Sequence, residues 1–218
     1  MSQARKRVVA FISGSGSNML ALLAATKAED FPAEIIAVMS DKATAGGLEK
    51  ASALGVPTFA FQRKDYASKD AHEQAILQKL AELKPDLLCL AGYMRLLSAD
   101  FITPYEGRIL NIHPSLLPLF PGLHTHDRAI DAGMRVSGCT VHFVTAGMDE
   151  GPVIGQAVVP VLPTDTSDAL AARVLTVEHK LYPEALRQVA LGNVTMSAEG
   201  RVISTSTATD KSGFVLSV

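Results

Sequence analysis

The stretch RVVAFISGSGSNMLALLAATKAED, residues 7–30, decides the fold. Its first seven residues form an apolar run without clean alternation, the pattern of a strand covered on both faces. A glycine–serine loop interrupts the run, and a helical segment follows. Strand, glycine-rich turn and helix together make the opening unit of an α/β fold. Outward from this unit the alternation continues. Strand-like runs recur at EIIAVMS (34–40), PTFAF (57–61), DLLCLAG (86–92) and RILNIH (108–113), with helical segments at 46–55 and 70–85 between them. In the latter segment Ile76, Leu77, Leu80 and Leu83 are expected on one face, with Pro85 just beyond.

After residue 138 the texture changes. CTVHFVT (139–145) and GPVIGQAVVPV (151–161) lie close together, which predicts an antiparallel pair. A long helix is expected from Ser167 to Ala190, with Pro183 as a kink point. The fold class expected is therefore α/β, a doubly wound and mostly parallel sheet with an antiparallel C-terminal portion. Residues 1–192 read as one catalytic domain, and 193–218 as a short hairpin around AEG and a Ser/Thr-rich tail without an assigned role.

Composition narrows the function. Hydrophobic residues make up 48% of 218 and charged residues 19%, enough apolar material for a sizeable core. The formal net charge of −2 provides no basic field for nucleic acid. Cys89 and Cys139 are the only cysteines, with no CxxC pair, so a reducing, cytoplasmic setting fits. The basic N-terminus precedes only five apolar residues and is not expected to be a signal peptide. No apolar run approaches the ~18 residues of a membrane helix.

Chemistry-bearing residues gather at the strand ends. SGSGSN (13–18) combines a tight glycine turn, exposed N–H groups and a helix N-terminus, an arrangement that attracts a phosphate. It is neither a Walker loop nor a full GxGxxG, which favours a small phosphate ester over a dinucleotide. The blander alternative is a glycine turn with Ser17 as helix cap. Asn111 and His113 close the run RILNIH, two residues apart and so on one side of a strand. A fixed amide donor beside a titratable imidazole suits a developing oxyanion. Against this stands the common structural use of a histidine next to a proline. Asp149, beside Glu150 and Gly151, reads either as a solvated turn acid or as an acid held by the apolar runs around it. His124 and His126 have HxH spacing. Without HExxH and with badly placed cysteines, no metal is expected, and ligand contact or support is the preferred reading.

Taken together, SGSGSN, AGYMRLL, NIHPSLLPLFPGLHTH, TVHFVTAGMDEGPVIGQ and EHKLYP closely resemble the phosphoribosylglycinamide formyltransferase family, in order from about Arg7 to Ala190. HPSLLP alone is shared across enzymes that use 10-formyltetrahydrofolate; the phosphate loop and the HTH-containing extension make the match specific. The resemblance implies a formyltransferase-type, Rossmann-like fold. It also implies transfer of a formyl group from 10-formyltetrahydrofolate, as co-substrate, to the amine of glycinamide ribonucleotide. The matching catalytic set is Asn111, His113 and Asp149. The ribonucleotide would lie on Ser15, Gly16, Ser17 and Asn18, with Glu178 near the ribose and glycinamide. The folate would lie against Met94, Arg95, Leu96 and Leu97, Asn111, and Thr145, Ala146, Gly147, Met148 and Asp149. Lys69 matches a position where an Arg can meet the folate glutamate tail, and Ser15 stands where relatives often carry Asn. The partners implied are small molecules, with no nucleic acid and no membrane, in a monomer or homodimer. A formyltetrahydrofolate hydrolase, which in relatives carries an extra N-terminal regulatory domain, and a non-enzymatic phosphate-ligand sensor are the alternatives. A methionyl-tRNA formyltransferase would need a second, RNA-binding domain that this length and charge do not provide.

Overall fold

The computed structural model describes residues 4–205. The chain forms two compact units, divided between Leu110 and Asn111. In the first unit β1 (Lys6–Ile12), β2 (Ala33–Ser40), β3 (Thr58–Ala60) and β4 (Leu87–Leu90) alternate with helices α1 (Ser17–Thr26), α2 (Gly46–Ala53) and α3 (Lys69–Leu83); a short α4 (Ala99–Ile102) follows β4. β1 pairs in parallel with β2 and with β4, and β2 in parallel with β3. The order is thus β3-β2-β1-β4. The chain leaves β1 toward β2 on one side and reaches β4 on the other, so the loop after β1 lies at a topological switch point, where α/β sheets bind ligands. Val8, Val9, Ala10 and Ile12 of β1 are wholly buried, which is why that strand shows no polar alternation.

The buried face of α3 differs from the expected one. Ile76 and Leu80 are buried, but Leu77 and Leu83 are only half-buried. His72 and Glu73 join the buried face instead. A polar pair took this place because each finds a partner: His72 Nε2 donates to the Phe61 carbonyl at 2.8 Å, and Glu73 accepts the Ser98 amide at 3.1 Å. α4 has no counterpart among the predicted segments, since four residues are too few to show a period. Its start is marked by Ser98, whose hydroxyl accepts from the Phe101 amide at 3.2 Å.

β5 (Ile109–His113) carries the chain across the division. In the second unit follow α5 (Thr125–Asp131), β6 (Val136–Phe143), β7 (Val153–Pro160), α6 (Ser167–Ala190), β8 (Val194–Met196) and β9 (Val202–Ser204). β6 and β7 are antiparallel, with a register shift between Val141 and His142. β6 begins three residues before the predicted run because Val136, Ser137 and Gly138 also pair, opposite Pro160, Val159 and Val158. α6 runs through Pro183 over the predicted span. Thr166 caps it by accepting from the Ala169 amide at 3.2 Å. Arg173 clamps Asp165, just ahead of that cap, with two hydrogen bonds of 2.6 and 2.8 Å. β8 and β9 form the predicted hairpin; the tail beyond residue 205 lies outside the described residues. Parallel strands alternating with helices, followed by an antiparallel C-terminal pair, bear out the fold class expected.

Candidate active site

In the first unit the phosphate-loop candidates Ser15, Gly16, Ser17 and Asn18 occupy the turn after β1 and the first residues of α1. Gly16, not Ser17, is the N-cap, and it has φ 74°. That left-handed conformation suits glycine. Space demands glycine as well: a Cβ on Gly16 would lie 3.0 Å from the Cα of Gly47, and one on Gly47 would lie 2.5 Å from Ile12 Cδ1. The two glycines therefore allow the start of α2 to press against the loop. The Gly47 amide donates to the Gly14 carbonyl at 3.0 Å, and Lys50 Nζ donates to the Ser15 carbonyl at 3.0 Å. With these carbonyls engaged and α1 supplying amide donors, the loop has the chemistry of an anion site.

In the second unit the structure brings together Asn111, His113 and Asp149. Asn111 and His113 lie on β5, as their spacing predicts. The Asp149 Oδ2 lies 3.4 Å from His113 Nδ1 and accepts the Gly122 amide at 2.8 Å. On the far side of the ring, His113 Nε2 donates to the Phe120 carbonyl at 3.0 Å. Both ring nitrogens thus face acceptors. Phe120, His124 and Asp149 all have positive φ, near 55°, a rare conformation for residues other than glycine that gathers at working sites.

A fourth residue, His142, completes this cluster. His142 is 2% exposed at the end of β6. Its Nδ1–H donates to the Phe143 carbonyl at 2.9 Å, so its Nε2 carries a lone pair. That lone pair accepts from Asn111 Nδ2 at 3.1 Å and lies 3.9 Å from Asp149 Oδ1. Burial pushes the His142 pKa down, outweighing the Asp149 charge, which keeps the ring neutral and accepting. His142 therefore fixes which way the Asn111 amide points. Thr140, two residues earlier on β6, holds the segment after β5. Its hydroxyl donates to the Ser115 carbonyl at 2.7 Å and accepts the Leu117 amide at 3.0 Å. Gly151 permits the return of the chain, since a Cβ there would lie 1.7 Å from the Phe143 carbonyl oxygen.

The remaining candidates are placed as follows. Glu178 is buried on α6, and its charge helps raise the Cys139 thiol pKa, although burial is the larger cause. Thr145, Ala146, Gly147 and Met148 form the loop before Asp149, with Met148 exposed. In the first unit Met94 and Leu96 are exposed and Leu97 is buried. Lys69 lies in the first turn of α3, 3.7 Å from the Glu73 carboxylate. His124 is exposed, 3.8 Å from Asp127. Among the described residues no cluster of three His, Cys, Asp or Glu side chains is placed to hold a metal, and no helix is long and apolar enough to cross a membrane.

Residues 6–186 match the family model described as Formyl transferase. The phosphoribosylglycinamide formyltransferase of Escherichia coli (strain K12) is 44% identical over 189 residues, covering 87% of this chain and 89% of that protein. A crystal structure of phosphoribosylglycinamide formyltransferase from Brucella melitensis superposes with TM-score 0.83 at 69% identity, covering 85% of this chain and 96% of the other. The trifunctional purine biosynthetic protein adenosine-3 of Drosophila melanogaster is 45% identical over 201 residues, of which the chain spans 15% of the length. On the family match and on the identity to relatives of nearly its own length, the chain belongs to the phosphoribosylglycinamide formyltransferase family of formyl transferases.

Proposed function

We propose that this chain transfers the formyl group of 10-formyltetrahydrofolate to the amine of 5-phosphoribosylglycinamide, yielding N-formylglycinamide ribonucleotide for purine synthesis in the cytoplasm. Residues 1–192 act as the catalytic domain. The observation that carries the reading is the clustering of Asn111, His113 and Asp149 through His142. The substrate amine attacks the formyl carbon to give a tetrahedral intermediate. Asn111 and protonated His113 stabilise its oxyanion. For His113 to do so, its Nε2–H exchanges the Phe120 carbonyl for the oxyanion, while Asp149 holds Nδ1–H. The attacking nitrogen loses a proton and N10 of the folate gains one as the C–N10 bond breaks; Asp149 relays that proton, directly or through water. The ribonucleotide phosphate sits on Ser15, Gly16, Ser17 and Asn18, and Glu178 faces the ribose and glycinamide.

The test is an absorbance assay for deformylated folate with purified protein, 10-formylfolate and the ribonucleotide, against a blank without ribonucleotide. Turnover confined to the complete mixture supports the transferase; turnover in the blank identifies a hydrolase instead. Asn111→Ala and Asp149→Asn are each expected to lower kcat by about 10²–10³ while remaining folded, the usual effect of removing an oxyanion stabiliser. Near-full activity in Asp149→Asn would exclude it from the mechanism.

A further inference from the structure

Ser13 and Asp41 are buried polar residues that the transfer step does not use, at 5% and 9% exposure. Ser13 ends the first apolar run and precedes Gly14 of the phosphate loop. Its hydroxyl donates to Asp41 Oδ1 at 2.6 Å. A carboxylate has no proton to return, so the Ser13 oxygen is left with lone pairs alone. One of them accepts the Met94 amide at 2.9 Å. The Ser13 amide in turn donates to the Gly92 carbonyl at 3.1 Å. Asp41 Oδ2 lies 3.9 Å from Arg95 Nη1. The segment that begins at Gly92 is therefore fastened at Gly92, Met94 and Arg95 to one serine–aspartate pair.

We propose that Asp41 and Ser13 are positioning residues for the folate co-substrate, holding the backbone of Met94–Leu97 in the conformation that receives it. The role rests on the folate reading of that segment. Three features argue for positioning rather than simple stability. Met94 and Leu96 are 61% and 54% exposed, so between buried Tyr93 and buried Leu97 the order of the backbone is carried by its hydrogen bonds. The Met94 amide, turned inward to Ser13, is withdrawn from any ligand, which leaves the backbone groups of Arg95, Leu96 and Leu97 as the ones a planar heterocycle can address. Finally, Asp41 dictates the direction of the Ser13 proton, so the pair works as a unit: without the carboxylate, the hydroxyl is free to turn its proton toward the Met94 N–H and repel it.

The unit makes the conservative variant informative. Asn in place of Asp41 keeps an oxygen to accept from Ser13; Ala does not. Ser13→Ala and Asp41→Ala are expected to raise the KM for 10-formylfolate about 10-fold, the worth of one charge-assisted hydrogen bond, with the ribonucleotide KM within about twofold of wild type. Amide exchange at Met94, followed by NMR, is expected to quicken by at least about 10-fold in both, and Asp41→Asn to restore both readouts. Wild-type protein that binds no 10-formylfolate in a calorimetric titration would remove the functional reading and this role with it. Wild type that binds, with Ser13→Ala binding equally well or losing both substrates alike, would overturn the role alone. Faster Met94 exchange without a change in folate KM would also overturn it.

Discussion

At the scale of the residue, the site depends on which atom holds which proton. His142 is committed by its neighbours: the Phe143 carbonyl takes the Nδ1 proton, and Nε2 accepts from Asn111. An Asn amide left without that acceptor is free to turn over, presenting an oxygen where the proposed oxyanion would need a donor. His142→Leu is thus expected to lower kcat on the order of 10–100-fold with both KM values little changed, since Asn111 is proposed to act in the transition state and its misplacement would be felt there. His142→Gln, which retains an acceptor, should recover part of the loss. Equal kcat in His142→Leu and wild type would show that Asn111 keeps its orientation by other means. None of this could be read from the chain beforehand. Asn111 and His113 were legible because two residues apart on one strand means one side of it. Asp149 was legible through its loop. His142 belongs to another strand, and a register shift precedes it, so only the paired strands reveal that its ring reaches Asn111.

At the scale of the element, the alternation of apolar runs and helical segments made the parallel strands, the long α6 and the terminal hairpin readable, because burial on both faces leaves a continuous apolar run. A short element stayed hidden: α4 has four residues, too few to establish a period. The α3 face was misjudged because buried His72 and Glu73 look like surface residues until their partners are known. The contact between α2 and the glycine–serine loop after β1 was equally invisible, although GG at 46–47 was its mark. Its two glycines can be told apart. A Cβ on Gly47 meets Ile12, Gly16 and the Gly14 carbonyl within 3.2 Å, whereas one on Gly46 meets nothing within 4 Å. Gly47→Ala is therefore expected to lose about 1–3 kcal/mol of stability, the usual penalty of forcing atoms into a packed contact, and to raise the ribonucleotide KM. Gly46→Ala serves as the control and should be silent in both. Urea denaturation and substrate titration of the two variants check this; equal behaviour would mean that α2 can shift without disturbing the loop.

At the scale of the whole molecule, titratable groups set the pH range over which the fold is held. Burial lowers the pKa of His126, His142 and His179 from the ordinary 6.5. Below pH 6.5 the unfolded chain takes up protons on these rings that the folded chain resists, so unfolding binds protons and stability falls as pH drops. His142, at 2% exposure, is expected to dominate. On the alkaline side the signs reverse. Burial raises the Cys139 thiol above its ordinary 9.0 and the Tyr93 phenol above 10.0, so the unfolded chain loses protons that the folded chain keeps, and stability falls as pH rises past those values. Asp165 behaves differently again. Hydrogen bonds from Arg173 hold its pKa down to about 2 from 3.8, so its contribution persists above 3.8 and fades only as pH falls toward 2. Together these signs predict a stability plateau between about pH 7 and 9, with a decline already measurable at pH 5.5, well before Asp165 is protonated. Urea denaturation from pH 5 to 10 tests it, with His142→Leu expected to flatten the acid decline and leave the alkaline one in place. Equal unfolding free energies at pH 5.5 and 7.5 in wild-type protein would mean that the buried rings open to solvent without unfolding, and His142 could not then serve as the fixed acceptor that Asn111 requires.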